Sequence, residues 1–65
     1  MNEQEMLEAV RAGQKVTHRW FSDDEWMTME NEMFVFEDGV RCSQEEFWKY
    51  REGLGFREDW SIYKG

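Results

Sequence analysis

Cys42 is the only cysteine in a chain of 65 residues, and this removes the crosslink that domains of this size commonly depend on. A 60-residue domain buries only about 60% of the surface its unfolded chain exposes, so its core alone is a marginal source of stability. One Cys and one His cannot make a structural zinc site either. Of the usual reinforcements, only association with another copy remains. A lone reduced thiol also fits a cytoplasmic protein better than a secreted one.

The residues available for a core point the same way. Eleven side chains are Phe, Trp or Tyr and five are Met. Aromatic side chains bury roughly 150–250 Å² each and dominate both cores and interfaces. Trp20, Trp26, Trp48 and Trp60 are spread along the chain, so some rings are expected to lie between subunits or in a ligand cleft. A homo-oligomer is the expected state. The net charge of -7 disfavours binding to a nucleic-acid backbone or an anionic membrane. No apolar run is long enough to span a bilayer.

The pattern along the chain predicts one α+β domain over residues 1–65. "NEQEMLEAVRA" (2–12) reads as a helix: Asn2 caps it, Glu5 completes the capping box, and Met6, Leu7 and Val10 form the apolar stripe. "KVTHRWF" (15–21) alternates as a strand, with Val16, His18 and Trp20 on one face and Thr17, Arg19 and Phe21 on the other. "SDDE" (22–25) is a turn, "WMTMENE" (26–32) a second strand and "MFVFE" (33–37) a third. The third strand turns through Asp38-Gly39 into "VRC" (40–42); this dipeptide is a strong hairpin signal because both turn positions take positive φ. Ser43 and Glu46 form a second capping box, opening a helix through Arg51 that Gly53 terminates. "GLGF" (53–56) is a flexible connector. "DWSIYK" (59–64) is a final strand with Trp60 and Ile62 on one side and Ser61 and Tyr63 on the other. The predicted order is a short helix, an antiparallel meander, a second short helix and a last strand.

No phosphate loop, dinucleotide fingerprint, zinc pattern or calcium loop is present. Asp23-Asp24-Glu25 lacks the alternating ligands and central glycine of a calcium loop, so a solvated turn is the better reading. No nucleophile lies near His18, and no carboxylate pair stands out, so no catalysis, metal or cofactor is predicted. The informative stretch is His18-Arg19 with its aromatic neighbours. If Arg19 and Phe21 share a face, a guanidinium beside a ring suits a nucleobase and its phosphate. If His18 and Trp20 face the cleft instead, an imidazole takes that part. A cross-strand ion pair between Arg19 and one of the many carboxylates is the simpler alternative.

The two ends of the chain, "MLEAVRAGQKVTHRWF" and "EDWSIYKG", resemble a family of small phage proteins, the second-type Thoeris anti-defence proteins. In that family a short helix "EAL-x-AG" leads into "KKV-x-R-x-x-W", and "DW" followed by a strand closes the chain. Glu8-Ala9, Ala12-Gly13 and Lys15-Val16 fit the opening, and Asp59-Trp60 fit the close. His18 falls where the family carries arginine and Phe21 where it carries tryptophan, and residues 22–57 do not align. The resemblance implies a homo-oligomer that sequesters cyclic ADP-ribose-like immune signals or cyclic oligonucleotides without catalysis. Related members inhibit CRISPR nucleases. On this basis His18 and Arg19 are expected to contact phosphate or ribose. Phe21 and Trp26 are the expected stacking surfaces, Trp60 a cleft wall, and Asp59 an acceptor that fixes the last strand. A competing expectation, drawn from the net charge with Asp23-Asp24-Glu25 and Glu45-Glu46, is an acidic inhibitor of a host defence or nucleic-acid-processing enzyme.

Overall fold

A computed structural model describes residues 1–51 and 55–64. Seven elements follow in order: α1 (Glu3–Arg11), β1 (Val16–His18), β2 (Met27–Glu30), β3 (Met33–Phe36), β4 (Arg41–Ser43), α2 (Gln44–Arg51) and β5 (Trp60–Ile62). The fold is α+β, as the sequence pattern predicts. The strands form one antiparallel sheet in the order β4-β3-β2-β1-β5, so the last strand returns to pair with the first.

Both helices begin where their capping boxes place them. Asn2 accepts from the Glu5 amide at 2.9 Å, and the Glu5 carboxylate accepts from the Asn2 amide at 3.0 Å. At α2 the Ser43 hydroxyl accepts from the Glu46 amide at 3.1 Å and donates to the Glu46 carboxylate at 3.3 Å. Each box satisfies amides that the first helical turn leaves without a partner. Gly53, the expected terminator of α2, lies outside the described residues, as does part of the 53–56 connector.

Strand alternation puts one sheet face under both helices. Val16, Met27, Met29, Phe34 and Trp60 point inward to meet Met6 and Val10 of α1 and Phe47 of α2, and all eight are buried. Phe47 is central, with its ring centroid 4.8 Å from Phe34 and 5.0 Å from Trp48. The opposite face, carrying Thr17, Thr28, Val35, Arg41 and Ser61, has no helix over it; an antiparallel sheet can tolerate water on one side. The outer edge of β5 is partly closed by backbone: Met1 N donates to Trp60 O at 2.6 Å and Trp60 N to Met1 O at 3.1 Å.

Three expectations need correction. The first strand stops at His18 and does not run to Phe21. The His18 imidazole accepts the Trp20 amide, and Phe21 N donates to His18 O at 2.9 Å, so residues 19 and 20 turn away from the ladder. Trp20 is therefore 60% exposed while His18 is 3% exposed. Phe21 folds back toward the core side, its ring centroid 5.6 Å from that of Trp60. The second strand ends at Glu30, because Asn31 and Glu32 adopt φ of 51° and 63° as the two-residue turn of the β2–β3 hairpin. At the β3–β4 turn only Gly39 has positive φ, at 86°. Asp38 instead accepts from the Val40 amide through its side chain, at 3.1 Å.

Candidate functional site

The stretch that turns out of β1 and the chain entering β5 together enclose an open concavity of about 310 Å³. Thr17 and Ser61, paired across β1 and β5, supply hydroxyls from the uncovered sheet face. Arg19, Phe21 and Asp59 form the rim, with Ser22 and Asp23 beyond it.

Arg19 is the cation here. Its guanidinium carbon lies 5.1 Å from the centroid of the Trp20 ring, and its Nη1 stands 3.5 Å from Asp59 Oδ2. Both members of this ion pair are more than half exposed, so water competes with it and it adds little to stability. Trp20 itself rests near Gly55, whose φ is 85°; a methyl group added there would sit 3.5 Å from the indole nitrogen.

His18 forms the floor and is fully engaged. Its Nδ1 accepts from the Trp20 amide at 3.1 Å, which makes Nε2 the protonated nitrogen, donating to Glu58 O at 2.6 Å. The ring stacks on Phe56 at 4.4 Å and meets Trp60 edge-on at 4.8 Å. Both nitrogens are used within the chain, so this histidine holds the two walls of the concavity in place.

The six residues singled out from sequence thus divide. His18, Arg19, Phe21 and Asp59 come together around one concavity. Trp60 lies behind it, 2% exposed, with its indole nitrogen donating to Phe56 O at 2.6 Å. Trp26 stands apart on the uncovered face, 6.4 Å from the Tyr63 ring, with Lys15 Nζ 4.3 Å from its own centroid. Asp59 takes φ of 67° at the step into β5, a left-handed conformation that Asp tolerates better than most residues. Sequence reasoning missed Trp20 as a site residue. Its signal was a bulky indole directly beside Arg19, which alternation placed on the His18 face without saying whether that face is buried.

A second concavity, of about 220 Å³, opens at the β3–β4 turn between Phe36, Val40, Arg51 and the carboxylates of Glu25, Glu37 and Asp38. Arg51 is drawn over the Phe47 ring at 4.3 Å and donates to Phe47 O, leaving three acids to set the local charge. Its three acids and engaged arginine suit an anion less well, and the Arg19 concavity is the better candidate.

The acidic runs have structural work. Glu25 accepts from the Ser22 amide at 3.0 Å, closing the 22–25 turn, and Glu46 belongs to the α2 cap. No group of three or more His, Cys, Asp or Glu side chains is placed to hold a metal ion among the described residues. No described helix is long and apolar enough to cross a membrane. Cys42 sits half-buried on β4, and burial raises its thiol pKa above the ordinary value despite the opposing pull of Arg51. No family model, curated protein or solved structure matches the chain.

Proposed function

We propose that this protein binds and sequesters a nucleotide-derived signal of the cyclic ADP-ribose or cyclic oligonucleotide kind, without chemical turnover. The observation that carries this reading is that Arg19, which lines the concavity, also has the exposed Trp20 indole beside it, 5.1 Å from its guanidinium carbon. A guanidinium offers a planar fork of donors that matches a phosphate, and such charge-assisted bonds are the stronger kind. An exposed indole offers a stacking surface for a base, worth about 1–3 kcal/mol per base in single-strand binders. Ser61 adds a hydroxyl suited to ribose, while those of Thr17 and Ser22 already donate to Glu25 and are left to accept.

The sequence resemblance gives the reading its ligand class. The concavity is open on one side, so tight retention calls for a second wall. A homo-oligomer, with another copy closing over the site, is part of the proposal. The uncovered sheet face bearing Trp26 and Tyr63 gives such a copy apolar surface to meet. Inhibition of a host enzyme by an acidic face has less support, because Glu25 and Glu46 already close a turn and a cap.

Calorimetric titration with cyclic ADP-ribose isomers and cyclic dinucleotides tests the proposal. Saturable heat with at least one of them at micromolar concentration is expected. Absence of heat with every one of them refutes it. Sizing chromatography tests the oligomer, and a monomer at all concentrations removes the shared wall.

A further inference from the structure

Arg19 is held from two sides, by the Trp20 ring and by the Asp59 carboxylate. The position of Asp59 is set by the fold. β1 and β5 pair with His18 opposite Trp60, so residues 19 and 59 are the next to face each other past the end of the ladder. The positive φ of Asp59 fixes how the chain enters β5 at that point. The carboxylate is thereby delivered beside Arg19, the one Lys or Arg among the described residues that line the candidate concavity.

We infer that Asp59 is an internal competitor for Arg19 that limits how tightly the concavity takes a phosphate-bearing anion. The inference rests on the proposed function only in taking Arg19 as the anion contact. An arriving phosphate must displace the Asp59 carboxylate or share the guanidinium with it. In both cases it approaches two negative side chains that line the concavity, Asp59 on the rim and Asp23 beyond it. The existing pair is exposed and weak, so the phosphate can win, but it wins against opposition. This gives Asp59 a signature opposite to that of a ligand-holding residue: neutralising it strengthens binding. Asp59→Asn suits the test because asparagine also tolerates positive φ and keeps the side-chain shape.

The test is titration with inorganic pyrophosphate at low salt, where charge effects are least screened, following the amide resonances of residues 17–22. Adenosine, which has a base and ribose but no phosphate, serves as the control. Asp59→Asn should bind pyrophosphate about three- to tenfold more tightly than the native chain, from loss of both competitor and repulsion. Arg19→Gln should weaken it, and adenosine should respond to neither change. Asp59→Gly, which removes the carboxylate and accepts the same backbone conformation, should tighten pyrophosphate binding too. Equal or weaker binding by both Asp59 variants overturns the inference, as does a pyrophosphate titration that moves none of these resonances in any variant. The sequestration reading is judged separately, by heat from cyclic nucleotides in the native protein, so either can fail alone.

Discussion

Replacing His18 with phenylalanine isolates the part of the site that holds the rest in position. The substitution keeps a ring to stack on Phe56 and meet Trp60, and removes both the Nε2 donor and the Nδ1 acceptor. Glu58 O and the Trp20 amide then lose their partners. A buried polar group left without a partner costs about 1–3 kcal/mol. Both residues are exposed at their side chains, so water can reach part of the way, which favours the lower half of that range. Together the two groups predict a loss of about 2–4 kcal/mol. At about 0.05–0.15 kcal/mol per residue the whole domain holds roughly 3–10 kcal/mol, so the change removes a large share. Urea unfolding followed by tryptophan fluorescence is the assay. With a slope near 1 kcal/mol per molar urea, the midpoint should fall by about 2–4 M. A loss under about 0.5 kcal/mol would refute the claim that this imidazole ties the two walls together.

Other expectations follow from local geometry. Glu32→Gly converts the β2–β3 turn to Asn-Gly and relieves a left-handed glutamate worth about 1 kcal/mol; it gives up only an exposed ion pair with Arg11, so urea unfolding should show a gain of about 0.5 kcal/mol. Phe47→Ala empties the centre of the core and should cost about 3–5 kcal/mol, leaving the chain largely unfolded by circular dichroism at 25 °C. Cys42 should alkylate more slowly at pH 8.5 in the folded protein than in urea, and Arg51→Gln should slow it further by removing the cation that favours the thiolate. Because the folded thiol pKa lies above the unfolded one, its small contribution to stability is complete below the unfolded value and is lost as pH rises through the folded one.

Much of this fold is written in local chemistry, and the exceptions have a common cause. Asn2 with Glu5 and Ser43 with Glu46 start their helices where the spacing says, because a cap is made by residues three apart. Gly39 turns the β3–β4 hairpin for an equally local reason. The last strand is also legible, since Trp60 and Ile62 alternate with polar neighbours and face the core. What could not be read is the end of β1. Alternation put Trp20 on the same face as His18, but the His18 imidazole takes its amide and turns the chain out. That turn exists because His18 is itself fixed by Glu58 O, 40 residues away. The Asn31-Glu32 turn was hidden for a simpler reason, having no glycine to announce it. Four of the six expected site residues meet because residues 18 and 60 are opposite in the register. Trp26 lies apart from them beside Tyr63 and Lys15, a separation that sequence alone does not give, since it does not say which sheet face a residue just before a strand takes.

The most direct measurement is an amide-resonance map of the native protein titrated with cyclic ADP-ribose. The account predicts saturable shifts concentrated at residues 17–22 and 59–61, with Arg19 and Trp20 among the largest. Shifts confined to the Trp26–Tyr63 face, or none at saturating ligand, would contradict it.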